Sequence, residues 1–67
     1  MTRLEAFLKA NGIKPLALAT EAGISRTHLY RLRMGKMDVR IMTALRIRDA
    51  CGRLISRQLS VSDVFEV

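Results

Sequence analysis

The chain has one cysteine, one proline, no tryptophan and three aromatic residues, Phe7, Tyr30 and Phe65. A lone cysteine, Cys51, cannot close an internal disulfide, which points to a reducing cytoplasm. Its neighbours Ala50 and Gly52 carry no charge that would activate a thiol, so it reads as a buried structural residue. One proline and four glycines are too few for a loop-rich or disordered chain. With 49% apolar residues and so few aromatics, Leu, Ile, Val, Met and Ala must build the interior, and without strand-type alternation they favour packed helices. No apolar run approaches the ~20 residues of a membrane span. Glu5 and Lys9 interrupt the Leu4, Phe7, Leu8 stretch that a signal peptide would keep apolar.

Catalytic material is also lacking. There is no activated nucleophile, no useful pair of carboxylates, no phosphate loop, and one His with one Cys cannot complete a four-ligand metal site. The expectation is a non-enzyme with no cofactor and no small-molecule ligand. Acid is scarce as well: six Asp and Glu face twelve Lys and Arg, a net charge of +6. That balance points to a polyanion, either nucleic acid or an anionic membrane surface. No acid stands between Glu21 and Asp38, a stretch holding Arg26, Arg31, Arg33 and Lys36. A membrane-surface helix would need a longer unbroken segment than Gly23 permits.

Sixty-seven residues make one domain, which buries only about 60% of the surface its unfolded chain exposes. Thr2 and Glu5 form a capping box for a first helix ending at Asn11-Gly12. Pro15 opens a second, tolerated in a first turn, which stops at Gly23. Ser25 caps a third, Arg26 to about Met34, closed by Gly35. Asp38 is the expected cap of a fourth with an inner stripe of Ile41, Ala44, Leu45, Ile47 and Cys51. It ends either at Gly52 or, since Leu54 and Ile55 keep the spacing, near Arg57. Ser60 and Asp63 box a last short helix bearing Val61, Val64 and Phe65.

The segment from Pro15 to Met34 has the spacing of a helix-turn-helix. Ala19 is small where two short helix axes approach, and Gly23 suits a turn needing positive φ. Leu18, Ala22, Ile24, Leu29 and Leu32 pin both helices to the domain. On Gly12-Ile13, Leu18-Ala19, Ala22-Gly23-Ile24-Ser25, Leu29, Leu32, Gly35, Thr43, Leu45, Ile47 and Ser60 to Phe65, the chain resembles the Cro and phage-repressor (lambda-repressor-like) family. The resemblance covers about residues 3 to 66. It implies an all-α, five-helix lambda-repressor-like bundle that binds operator DNA in the cytoplasm, commonly as a homodimer. Pro15 stands where the family often has a phosphate-gripping Gln, and Arg33 where it often has Glu. Residues 53 to 58 look like an insertion between the last two helices.

With Leu29 and Leu32 inward, the third helix presents Arg26, Thr27, Tyr30, Arg31 and Met34, with Ser25 at its tip. Ser25, Arg26, Thr27, Tyr30 and Arg31 are the expected base-reading set in the major groove, Arg26 and Arg31 as bidentate partners of guanine. Lys14, His28, Arg33, Lys36 and Arg40 are the expected phosphate contacts. Val61, Val64 and Phe65 can close the core. Alternatively Leu54, Ile55, Leu59, Val64, Phe65 and Val67 offer a stripe for a second copy on a two-fold symmetric site. The resulting expectation is a Cro-type transcriptional regulator of double-stranded DNA. The other readings are a DNA-binding antitoxin or autoregulator that also holds a protein partner, and a helix-turn-helix used for protein or RNA contact. The acid-free run opposes the last, and the lack of a disordered tail after Phe65 weighs against the antitoxin.

Overall fold

Short-range hydrogen bonds set most of the helix boundaries in the computed structural model, which describes residues 1–66. Thr2 is extended and its Oγ1 accepts the Glu5 N–H at 3.0 Å, starting α1, Arg3–Ala10. Only this half of the expected capping box forms, because the Glu5 carboxylate turns to another helix. Pro15 opens α2, Pro15–Ala22, and Ser25 Oγ accepts the His28 N–H at 3.0 Å to start α3, Arg26–Arg33. In α5, Val61–Val64, the Asp63 carboxylate accepts the Ser60 N–H at 2.9 Å and the Ser60 hydroxyl at 3.1 Å. These bonds hold the Asp63 carboxyl below its usual range.

The fourth helix departs from expectation at both ends. α4 is Ile41–Ile55, and the extended residue before it is Arg40, not Asp38, which lies too far upstream to cap it. Gly52 does not stop it. The left-handed closing residue is Ser56, at φ 55°, so residues 53–55 are the helix's last turn rather than an inserted loop. Gly52 serves that closure differently. Its carbonyl accepts the Arg57 N–H at 3.0 Å, and the Arg57 carbonyl oxygen would lie 2.6 Å from a Cβ at position 52.

Helix α2 packs on α3 and α4, while α1 packs on α3 and α5, and α4 also meets α5. Their inner faces contribute Leu4, Leu8, Leu18, Ala19, Ala22, Leu29, Leu32, Ala44, Ile47, Ala50 and Cys51, with Ile13 and Leu59 from connections. Val64 and Phe65 seal this core, and Ile55 packs partly against it. Leu59, Val64 and Phe65 are therefore interior residues and not a stripe for a second copy. Of that set only Leu54 is clearly exposed, and Val67 lies outside the described residues. Ile41, expected inside, is 68% exposed, because the buried face of α4 begins one turn later at Ala44. Leu45 is half-buried.

Cys51 is fully buried and free, and burial pushes its thiol up to about 11, so it stays protonated at neutral pH. Among the described residues no helix is long and apolar enough to cross a membrane, no strand occurs, and no three His, Cys, Asp or Glu side chains gather as a metal site.

Candidate nucleic-acid interface

The link between α2 and α3 is three residues, Gly23-Ile24-Ser25. Gly23 is left-handed at φ 71°, its N–H donates to the Thr20 carbonyl at 3.3 Å, and the Ile24 N–H reaches the Ala19 carbonyl at 3.1 Å. This double closure ends α2 abruptly and turns the half-buried Ile24 toward the core. Space is not the reason for glycine, since a Cβ there would meet nothing within 4 Å. The backbone is the reason. Gly23→Val is expected to cost roughly 2 kcal/mol and lower the melting temperature by roughly 10 °C. An undiminished melting temperature would show that the turn does not depend on positive φ.

At 100° per residue, Arg26, Tyr30, Met34, Thr27 and Arg31 fall in that order on an arc of about 140° of α3. Leu29 and Leu32 occupy the opposite side, and both are buried. All five arc residues are exposed or at the helix end. Ser25 caps the tip with its hydroxyl oxygen, leaving the hydroxyl proton free to donate. His28 is half-buried at the flank of the arc.

Arg33 leaves the set of free cations. Its Nε and Nη2 donate to the two Glu5 carboxylate oxygens at 2.8 and 3.0 Å, with the side chains only 20% and 10% exposed. The same α1–α3 contact contains a 2.7 Å bond from Thr2 Oγ1 to the Arg33 carbonyl. Arg33, expected to hold a phosphate, is a structural tie instead. Arg53 is another: it donates to the Glu21 carboxylate at 3.2 Å and the Glu21 carbonyl at 3.1 Å, joining α4 to α2. Arg48 bonds the adjacent Asp49.

These ties use three of the six acids, Glu5, Glu21 and Asp49. Among the described residues Lys14, Arg26, Arg31, Lys36 and Arg40 have no acidic partner. Lys36 stands 5.9 Å from the Tyr30 ring centre, a cation–π distance that places its charge beside the arc.

Helix starts carry a further signal. A helix N-terminus has unpaired N–H groups and the positive end of the backbone dipole, so local stability favours an acid there. α1 and α5 follow this, with Glu5 and Asp63 in their first turns. α1 also begins with a cation, Arg3, but α2, α3 and α4 have no acid in their first turns to balance one: Lys14 and Arg40 are the residues just before α2 and α4, and Arg26 is the first of α3. Three helix starts thus place a cation beside the positive end of the backbone dipole, where an anion would be stabilised. The starts of α2 and α3 border one shallow concavity, lined by Pro15, Leu16, Arg26, Thr27 and Tyr30. Leu16 was not singled out by sequence. Its only signal there is an apolar side chain at an outward position of α2, beside Pro15. Comparison with protein-family models, curated proteins and solved structures finds no match for this chain.

Proposed function

We propose that Pro15 to Met34 is a helix-turn-helix and that the chain is a sequence-specific regulator of double-stranded DNA, of Cro or repressor type, acting in the cytoplasm as a homodimer on DNA. α3 enters the major groove, where Ser25, Arg26, Thr27, Tyr30 and Arg31 meet base edges. Lys14, Lys36 and Arg40, with His28 at the flank, hold phosphates on either side. The observation that carries this reading is the reversal of charge at the starts of α2, α3 and α4. Each gives up some helix stability for a site that suits a phosphate, and none of these three first turns holds an acid to repel one.

The test is selection of bound duplexes from a random DNA pool at about physiological salt, where purely electrostatic binding is already weak. Enrichment of a two-fold symmetric site supports a dimeric regulator and gives the half-site spacing. An asymmetric short site supports a monomeric reader. No enrichment, with binding that vanishes as salt rises, would refute the proposal. Lys36→Ala supplies a finer check: it should weaken binding to every sequence alike and flatten the salt dependence by about one unit of slope. A loss confined to one sequence would assign Lys36 to a base instead.

A further inference from the structure

Leu16 is a large apolar side chain that stands outside the core. It is 58% exposed in the first turn of α2, where a polar residue would be at no disadvantage. It lines the concavity together with Tyr30, 49% exposed, and buried Leu29. The lining of this depression joins apolar Pro15, Leu16 and Leu29 and the Tyr30 ring to two cations, Arg26 and Arg33. Arg26 has no acidic partner among the described residues, Arg33 on the far edge is neutralised by Glu5, and no acid lines the depression. Thr27 adds a methyl group from the centre of the α3 arc.

Charge and shape together narrow the occupant. A cationic edge without acid favours an apolar group carried between negative charges. In the major groove of duplex DNA the distinctive apolar group is the C5-methyl of thymine, flanked by base acceptors and by backbone phosphates. A methyl needs a shallow seat, not a deep pocket, and the depression adjoins the start of α3 where base contact is assigned. Resting on the DNA reading above, we propose that Leu16 and Tyr30 form a seat for a pyrimidine C5-methyl group, beside the base pair that Arg26 contacts.

The experiment starts from the selected duplex and replaces each thymine in turn by deoxyuridine, which removes the methyl and nothing else. At one position in each half-site the replacement is expected to weaken binding about fourfold, the factor for losing one methyl-sized apolar contact. Leu16→Ala, at an exposed position, keeps the fold and its preferences elsewhere but no longer separates thymine from uridine there. Uridine tolerated at every position, or a Leu16→Ala protein that still makes the distinction, overturns the seat while sequence-specific binding stands. The first of these results also fits a depression that serves a protein partner. A pool with no enriched duplex overturns the DNA reading itself, and the seat with it.

Discussion

Glu5→Ala is expected to lower the unfolding free energy by about 3 kcal/mol, the low end for breaking a buried ion pair from one side. For a domain of this size that is a fall of roughly 15 °C in melting temperature. The loss comes from what remains. The Arg33 guanidinium, on a side chain only 20% exposed, would lose both acceptors, and the start of α1 would keep the Thr2 bond to the end of α3. Replacing both partners by apolar residues of similar length, Glu5→Leu with Arg33→Met, should recover much of the loss, because no buried charge is then stranded. A double variant as unstable as the sum of the two singles would show that the pair is not the source. Acid gives a second view. The bond from Arg33 holds the Glu5 carboxyl below its ordinary 4.5, outweighing the upward push of burial. Its contribution to stability is therefore complete above that ordinary value and is lost as pH falls through the lower, folded value. Asp63 acts in the same sense, so the informative quantity is the difference between wild type and Glu5→Gln, which should shrink as the solution becomes acidic.

Thr2, Ser25, Gly23 and the Ser60–Asp63 pair were legible in the sequence because each acts within a few residues of itself. A cap or a turn is written in its neighbours, and the i, i+3 spacing of α1 to α3 marks their buried faces. The Glu5–Arg33 bond spans 28 positions, and nothing local announces it. Glu5 was consequently assigned to the nearest amide and Arg33 to a phosphate. α4 failed for a related reason. Its apolar spacing runs from Ile41 to Ile55, but spacing cannot say where the neighbours that cover it begin. Ile41 therefore stands in solvent while Leu59 and Phe65, which looked available to a second copy, are enclosed. At the C-terminal end, Ser56 adopts a conformation usually given to glycine, while the nearby Gly52 is needed for a close backbone approach. The punctuation was present but attached to the wrong event.

The charged residues sort by the same criterion. An arginine that serves the fold has found an acid or a carbonyl: Arg33, Arg53, and Arg3, which donates to the Ser62 carbonyl at 3.1 Å. Among the described residues those on the exposed arc of α3, Arg26 and Arg31, have found neither, although Glu21 and Glu5 lie on the helices to which α3 is packed. Spacing alone could not separate these groups, since both look basic and outward. Tertiary geometry separates them by showing which cations already have partners.

That separation sets the largest functional effect. Arg26→Ala combined with Arg31→Ala should weaken binding to the selected duplex about a thousandfold, from roughly 2 kcal/mol of base discrimination at each arginine, while leaving the melting temperature nearly unchanged. Neither side chain has an acidic partner among the described residues, and Arg26 sits at a helix start where its charge opposes the dipole, so its removal should not harm the fold. Binding to a scrambled duplex should fall much less, because the phosphate contacts proposed for Lys14, Lys36 and Arg40 would not depend on sequence. The measurement is the ratio of dissociation constants for the two duplexes at one salt concentration. A ratio that collapses toward unity places sequence reading on these two arginines. A ratio that survives, with both affinities reduced in proportion, would make them phosphate contacts and move base recognition to Thr27, Tyr30 and Leu16.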